Sequence, residues 1–133
     1  MVGFIDVGGS LRGIYTSGVY DYLMDKNIKP EYAIGVSSGS ANLTAFVANE
    51  RGRTARFYSE YLYESKAFGL PSLLTTGSLI NIKYIYSDIS KSTGKDPLDF
   101  DGLINSDSKF TIVSTVAKTG KPLIIVLENG RAV

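Results

Sequence analysis

The chain has 133 residues, a length that suits one domain, and 44% of them are hydrophobic, enough to build a core. With 14 basic and 13 acidic residues the net charge is +1, and no basic block or acidic tail offers a case for nucleic acid. The absence of cysteine and histidine excludes disulfides, Cys/His metal sites and a Ser-His-Asp triad within these residues, and nothing calls for a cofactor.

The N-terminal "MVGFIDVGG" lacks the basic region and long apolar run of a secretion signal. No run approaches the roughly 20 apolar residues that span a bilayer. The expectation is a cytoplasmic protein, able to touch a membrane without crossing it. "VGFID" stops at Gly8-Gly9 and predicts a buried first strand. After "VGGSLRG", residues Ile14, Val19, Tyr22 and Leu23 suit one face of a helix that ends near "DKNIKP". "YAIGV" predicts a second buried strand, and "SANLTAFVANE" sets Leu43, Phe46 and Val47 at helical spacing, with Ser38 or Ser40 available as a cap.

The spacing next predicts a helix over residues 53–64 with Phe57, Tyr58, Tyr61 and Leu62 on one face. "GLPSLLTTGSL" reads as a loop. "INIKYIYSDISK" reads as a short helix with a strand as the alternative, and "DPLDFDGLINSD" as a turn and a short helix. "KFTIVSTV" and "KPLIIVLE" are strands joined through "AKTGK" as a hairpin. The order implies a single α/β domain over residues 1–133, opening with a parallel βαβ unit of right-handed crossover. The chain stops at "LENGRAV" straight after a strand, where α/β domains more often add a covering helix, so truncation after the C-terminal hairpin is expected.

Two glycine loops carry the chemistry. Val7-Gly8-Gly9-Ser10-Leu11-Arg12-Gly13 lies between a strand and a helix start, where backbone N–H groups and the helix dipole accept an anion. Ser10 stands at the third position, where a dinucleotide fingerprint needs glycine, and Gly13 is followed by Ile14 rather than the Lys-Ser/Thr of a phosphate loop. An oxyanion hole needs only backbone donors beside a nucleophile. Gly35-Val36-Ser37-Ser38-Gly39, between the second strand and its helix, has the form of a nucleophile elbow. In a βαβ unit both loops open on one edge of the sheet, the edge where α/β proteins bind ligands. Acyl transfer requires that pairing of donors and hydroxyl, but the serine needs a base other than histidine.

"GGSLRG" followed by "GVSSGS" resembles the patatin-like phospholipases, particularly their bacterial branch. The resemblance runs on through "GVYDYLMDKNIKPEYAIGVSSGSANLTAFVANERGR" and "PLDFDGLINSDSKFTIVSTVAKTGKP". It implies a three-layer α/β fold with a mostly parallel central sheet and a lipid acyl hydrolase that uses a Ser–Asp dyad. Ser37 then matches the nucleophile, Gly35, Ser38 and Gly39 its elbow, and Gly8, Gly9, Ser10, Arg12 and Gly13 the oxyanion loop, with Ser10 in place of the usual third glycine. The family's aspartate lies in an Asp-Gly-Gly or Asp-Gly-Ala motif well after the hairpin. The Asp-Gly pair here, Asp101-Gly102, precedes the hairpin, so Asp101 is read as a surface or capping carboxylate and the dyad aspartate is expected beyond Val133. The implied partners are phospholipid or other acyl-ester substrates and a membrane surface touched peripherally, with no cofactor or metal.

Other residues have plainer readings. Arg12 either steers an anionic head group or braces the loop through a carboxylate. Phe57, Tyr58, Tyr61, Tyr63 and Phe68 either fill a core or line an acyl groove or membrane face. Asp6 is read as an organiser of the first loop. Lys26, Lys66 and Lys83 have no spacing relation to Ser37. The reading from another class is a non-catalytic α/β module that binds an anion at the glycine loops.

Overall fold

The computed structural model describes residues 2–128 and 131–132, so Met1, Asn129, Gly130 and Val133, with their part of "LENGRAV", lie outside the described residues. The chain forms two compact units. One runs to Thr54 and resumes at Asp99, and the other is Ala55–Leu98.

The first unit is an α/β layer around a five-stranded sheet in the order β1-β2-β3-β4-β5. Strands β1 (Gly3–Asp6), β2 (Tyr32–Val36) and β3 (Lys109–Thr115) run parallel, with Ile5 opposite Ile34 and Ile34 opposite Thr111. Strand β4 (Pro122–Glu128) returns antiparallel to β3, and the short β5 (Arg131–Ala132) pairs antiparallel with β4. The start of β3 is fixed from afar: Ser108 Oγ donates to the Pro30 carbonyl, 78 positions away, and the Lys109 N–H to the Glu31 carbonyl.

Helix α1 (Gly13–Asp25) links β1 to β2, and α2 (Ser38–Val47) follows β2. Helix α2 lies on β1, β2 and β3 and buries Leu43, Ala45, Phe46 and Val47. Its Phe46 ring stacks on Tyr20 of α1 at 4.6 Å, and Phe4 of β1 meets both rings edge-on. With Ala33 and Phe110 from the sheet these form the core, each large side chain contributing about 1.5–3 kcal/mol. The short α5 (Phe100–Ile104) packs on α2, and Asp99 caps it by accepting the Gly102 N–H at 2.8 Å.

Two expectations change here. The strands are buried on one face only. Ala33, Gly35 and Phe110 lie under α2, while Ile5, Ile34 and Ile124 on the opposite face are exposed. Helix α1 does not bury Ile14, Val19 and Tyr22; its buried residues are Gly13, Ser17 and Tyr20. Close packing against α2 selects the small Gly13 and Ser17, and hydrogen bonding as well as ring stacking selects Tyr20.

In the second unit the predicted long helix breaks. Helix α3 (Arg53–Ser59) begins in the first unit and ends before a single 3-10 turn over Tyr61–Tyr63. That turn directs the Tyr61 hydroxyl onto Asp96, which Arg56 also pairs at 2.9 Å. "GLPSLLTTGSL" is not a loop but contains α4 (Leu70–Thr76), with Pro71 in its first turn and the left-handed Gly77 closing it. That is the Pro-start, Gly-stop signature of a short helix. Residues Tyr84–Asp88 form a π-helical turn with Ile85 buried.

Candidate active site

Both glycine loops lie in the first unit and touch. A methyl group on Gly8 would stand 2.7 Å from the Val36 carbonyl oxygen and 3.1 Å from Ser37 Cβ. One on Gly39 would stand 2.6 Å from Asp6 Oδ1, and one on Gly35 2.5 Å from Ser40 Cα. Three glycines therefore let the end of β1, the first loop and the start of α2 meet backbone to backbone. No side chain fits at those positions without displacement.

Ser37 occupies the turn between β2 and α2 at φ 55°, ψ −133°, a conformation L-residues avoid at a cost of about 1–3 kcal/mol. It is exposed, while Ser38 and Gly39 beside it are buried. Among the described residues its hydroxyl has no hydrogen-bond partner, and no side chain caps α2. The expected cap by Ser38 or Ser40 is absent: Ser38 Oγ instead accepts the Gly9 N–H at 3.1 Å, and Ser40 Oγ is buried without a partner. The partial positive charge at the start of α2 is thus left facing Ser37.

Asp6 organises the first loop. Its Oδ1 accepts the Gly8 N–H at 2.9 Å, and its Oδ2 accepts from the Tyr20 hydroxyl and from Asn42 Nδ2, both at 3.3 Å. The buried carboxylate thereby joins β1, the loop, α1 and α2. Burial, then the Asp6 charge and hydrogen bond, push the Tyr20 hydroxyl well above the ordinary tyrosine range. Asn42 also donates to the Gly13 carbonyl. Sequence reasoning did not single out Tyr20 or Asn42; the available signal for Asn42 was one amide beside the apolar Leu43, Ala45, Phe46 and Val47 of a buried helix.

The loop continues as a 3-10 turn over Ser10–Arg12. Ser10 adopts φ 55°, the left-handed conformation that glycine takes without cost. With the Gly8 and Gly9 amides engaged, the N–H groups of Ser10 and Leu11 have no acceptor among the described residues. Exposed Arg12 braces the loop through the Gly9 carbonyl at 3.3 Å and forms no ion pair among the described residues. Asp101 is exposed in the first turn of α5, where Asp99 rather than Asp101 is the cap. Helix α5 meets α2 at its far end, near Ala48, about 15 Å of helix away from Ser37.

Of the aromatic set, Tyr58 and Tyr61 are buried in the second unit, Phe57 stacks on Tyr86 at 5.5 Å, and Tyr63 and Phe68 are exposed. Among the described residues no cluster of acidic groups is arranged to hold a metal ion, and no helix is long and apolar enough to cross a membrane.

Residues 7–124 match the family model described as patatin-like phospholipase, and the chain belongs to that family. It is 30% identical over 95 residues to the uncharacterized protein YjjU of Escherichia coli (strain K12), an alignment covering 71% of this chain. The same alignment spans 26% of that relative, so the chain covers about a quarter of its length. No solved structure matches significantly.

Proposed function

We propose that the protein is a serine acyl hydrolase acting on phospholipid or other acyl esters, with Ser37 as the nucleophile. Family membership supports the reaction class. The observation that carries the residue assignment is the exposed, positive-φ Ser37 at a helix N-terminus, touching at Gly8 a loop whose Ser10 and Leu11 amides are unengaged among the described residues.

In this reading Ser37 Oγ attacks the ester carbonyl carbon and its proton passes to a carboxylate base. The alkoxide leaves with that proton, and water then cleaves the acyl-enzyme by the reverse sequence. The N–H groups of Ser10 and Leu11 face the developing oxyanion, with the start of α2 adding its dipole. One such donor is worth about 2.7–4 kcal/mol of barrier. The Ser37 hydroxyl is bonded to no described residue and Asp101 sits at the far end of α2, which favours a dyad aspartate following Val133 in the complete gene product. The protein works from the cytoplasm as a peripheral enzyme.

The test is fluorophosphonate labelling of the complete gene product, with Ser37→Ala as control. Labelling at Ser37 that the substitution abolishes supports the assignment. An unlabelled protein that binds a carboxylate or phosphate at the loops would replace it with the anion-binding module.

A further inference from the structure

Residues 67–82, "AFGLPSLLTTGSLINI", contain no charged residue and are bracketed by Lys66 and Lys83. A stretch of that composition ordinarily belongs in a core. Here its large side chains point outward: Leu74 is 79% exposed and Leu70 64%, and Phe68, Leu79 and Ile82 are each more than half exposed. Ser72, by contrast, is fully buried. Ser72 and Ala67 are the residues that face inward, while Thr75, Thr76 and Ser78 share the exposed surface with the leucines.

The backbone of the same stretch is closed on itself. Phe68 and Ile80 pair as an antiparallel bridge, the Gly69 N–H donates to the Leu79 carbonyl, and the Asn81 N–H donates to the Ala67 carbonyl. The Ser72 hydroxyl donates to the Ser78 carbonyl, Thr75 to Pro71 and Thr76 to Ser72, each at 2.8 Å. The hydroxyls of Ser72, Thr75 and Thr76 are thus spent on carbonyls of the segment itself. Entering a medium without hydrogen-bonding capacity is then cheap, because an unmatched polar group is what makes that transfer costly.

From this geometry we propose that α4 and its flanking turns form an insertion element for the surface of an anionic lipid bilayer. The leucines enter the acyl boundary, and Lys66 and Lys83 at the base, in no ion pair among the described residues, lie at the head groups. The positive rim and internally satisfied backbone favour a lipid surface over a protein partner, which would bring its own donors and acceptors. The proposal rests on the lipid-ester reading, since it names the surface on which such a substrate is met.

The test uses the complete gene product with vesicles of phosphatidylcholine, with and without phosphatidylglycerol. Co-sedimentation with the anionic vesicles is expected, and Leu70→Glu with Leu74→Glu lowers the partition coefficient by about tenfold or more. Lys66→Glu with Lys83→Glu weakens binding to the anionic vesicles by several-fold and leaves binding to phosphatidylcholine unchanged. Hydrolysis of a short-chain, water-soluble ester stays at the parent level in all four substitutions. Leu74→Cys carrying an environment-sensitive fluorophore shifts to the blue on adding vesicles.

Vesicle binding that the leucine substitutions do not reduce overturns the proposal. So does a dimer that those substitutions split, which would assign the face to a second copy. So does a Leu74→Cys variant whose thiol resists modification in water, which would place the face under another part of the protein. A parent protein that binds the vesicles, loses that binding with the leucine substitutions and hydrolyses no ester would instead sink the catalytic reading alone.

Discussion

Ser38 Oγ accepts the Gly9 N–H at 3.1 Å, and this bond ties the glycine loop to the helix that presents Ser37. It spans residues 29 positions apart, and in the proposed reaction it joins the two segments whose relative position decides whether loop amides meet charge developing at Ser37. Ser38→Ala removes the acceptor and is expected to cost about 1 kcal/mol of stability. Turnover should fall more than that implies, by about tenfold in kcat with KM little changed, because positioning matters most in the transition state. Steady-state kinetics on a soluble ester, beside urea melts, checks both. A change confined to KM would argue against a positioning role.

Two glycines give opposite expectations. A methyl group on Gly39 would press on the Asp6 carbonyl and carboxylate, so Gly39→Ala should lose about 1–3 kcal/mol and displace the elbow. Gly18, within α1, has nothing within 4 Å of such a methyl group, and Gly18→Ala should add about 0.5–1 kcal/mol through helix propensity. Denaturant midpoints of the two variants should move in opposite directions. A shared direction would mean that the contact at Gly39 is not as described.

Ser10 holds φ 55° without glycine's freedom. Ser10→Gly relieves that strain while loosening the unfolded chain, for a net gain of up to about 1 kcal/mol. The loop amides keep their places, so activity should be unchanged or higher. A clear drop would show that the Ser10 side chain takes part in the reaction.

The Tyr20 hydroxyl, raised by burial and by Asp6, gives an alkaline signature. An acid whose folded pKa lies above its unfolded value keeps its full contribution below the unfolded value, about 10 for tyrosine, and loses it as pH climbs past that point. Tyr20→Phe should therefore flatten the decline in stability above about pH 10 and lower the plateau below it. Melting curves from about pH 8 to 11 test this, and an unchanged alkaline slope would contradict it.

The sequence reading found both strands of the βαβ unit, α2 with its buried Leu43, Phe46 and Val47, the terminal hairpin, and two glycine loops that the fold places in contact. It misread α1 because apolar periodicity marks Ile14, Val19 and Tyr22, whereas contact with α2 is decided by small size at Gly13 and Ser17. It missed α4 because Gly, Pro, Ser and Thr are read as loop formers. Pro71 and Gly77 carried the opposite message, a start and a stop one short helix apart. Cap propensity is local, so the sequence offers Ser38 or Ser40 as a cap and says nothing of Ser38's distant partner. That partner, Gly9, lies on another loop, and only the closed fold brings it within reach.

The long-range bond between Ser108 and Pro30 has a kinetic consequence. The parallel pairing of β2 with β3 must close a loop of 78 positions, with the whole second unit lying within it. Closure on that scale costs about 4 kcal/mol of chain entropy before any pairing returns it. The β3–β4 hairpin and the contacts inside Ala55–Leu98 are local by comparison and can form at once. The order of assembly that follows is hairpin and inserted unit early, and the seam between β2 and β3 last. A substitution that weakens that seam would slow folding only slightly and speed unfolding strongly.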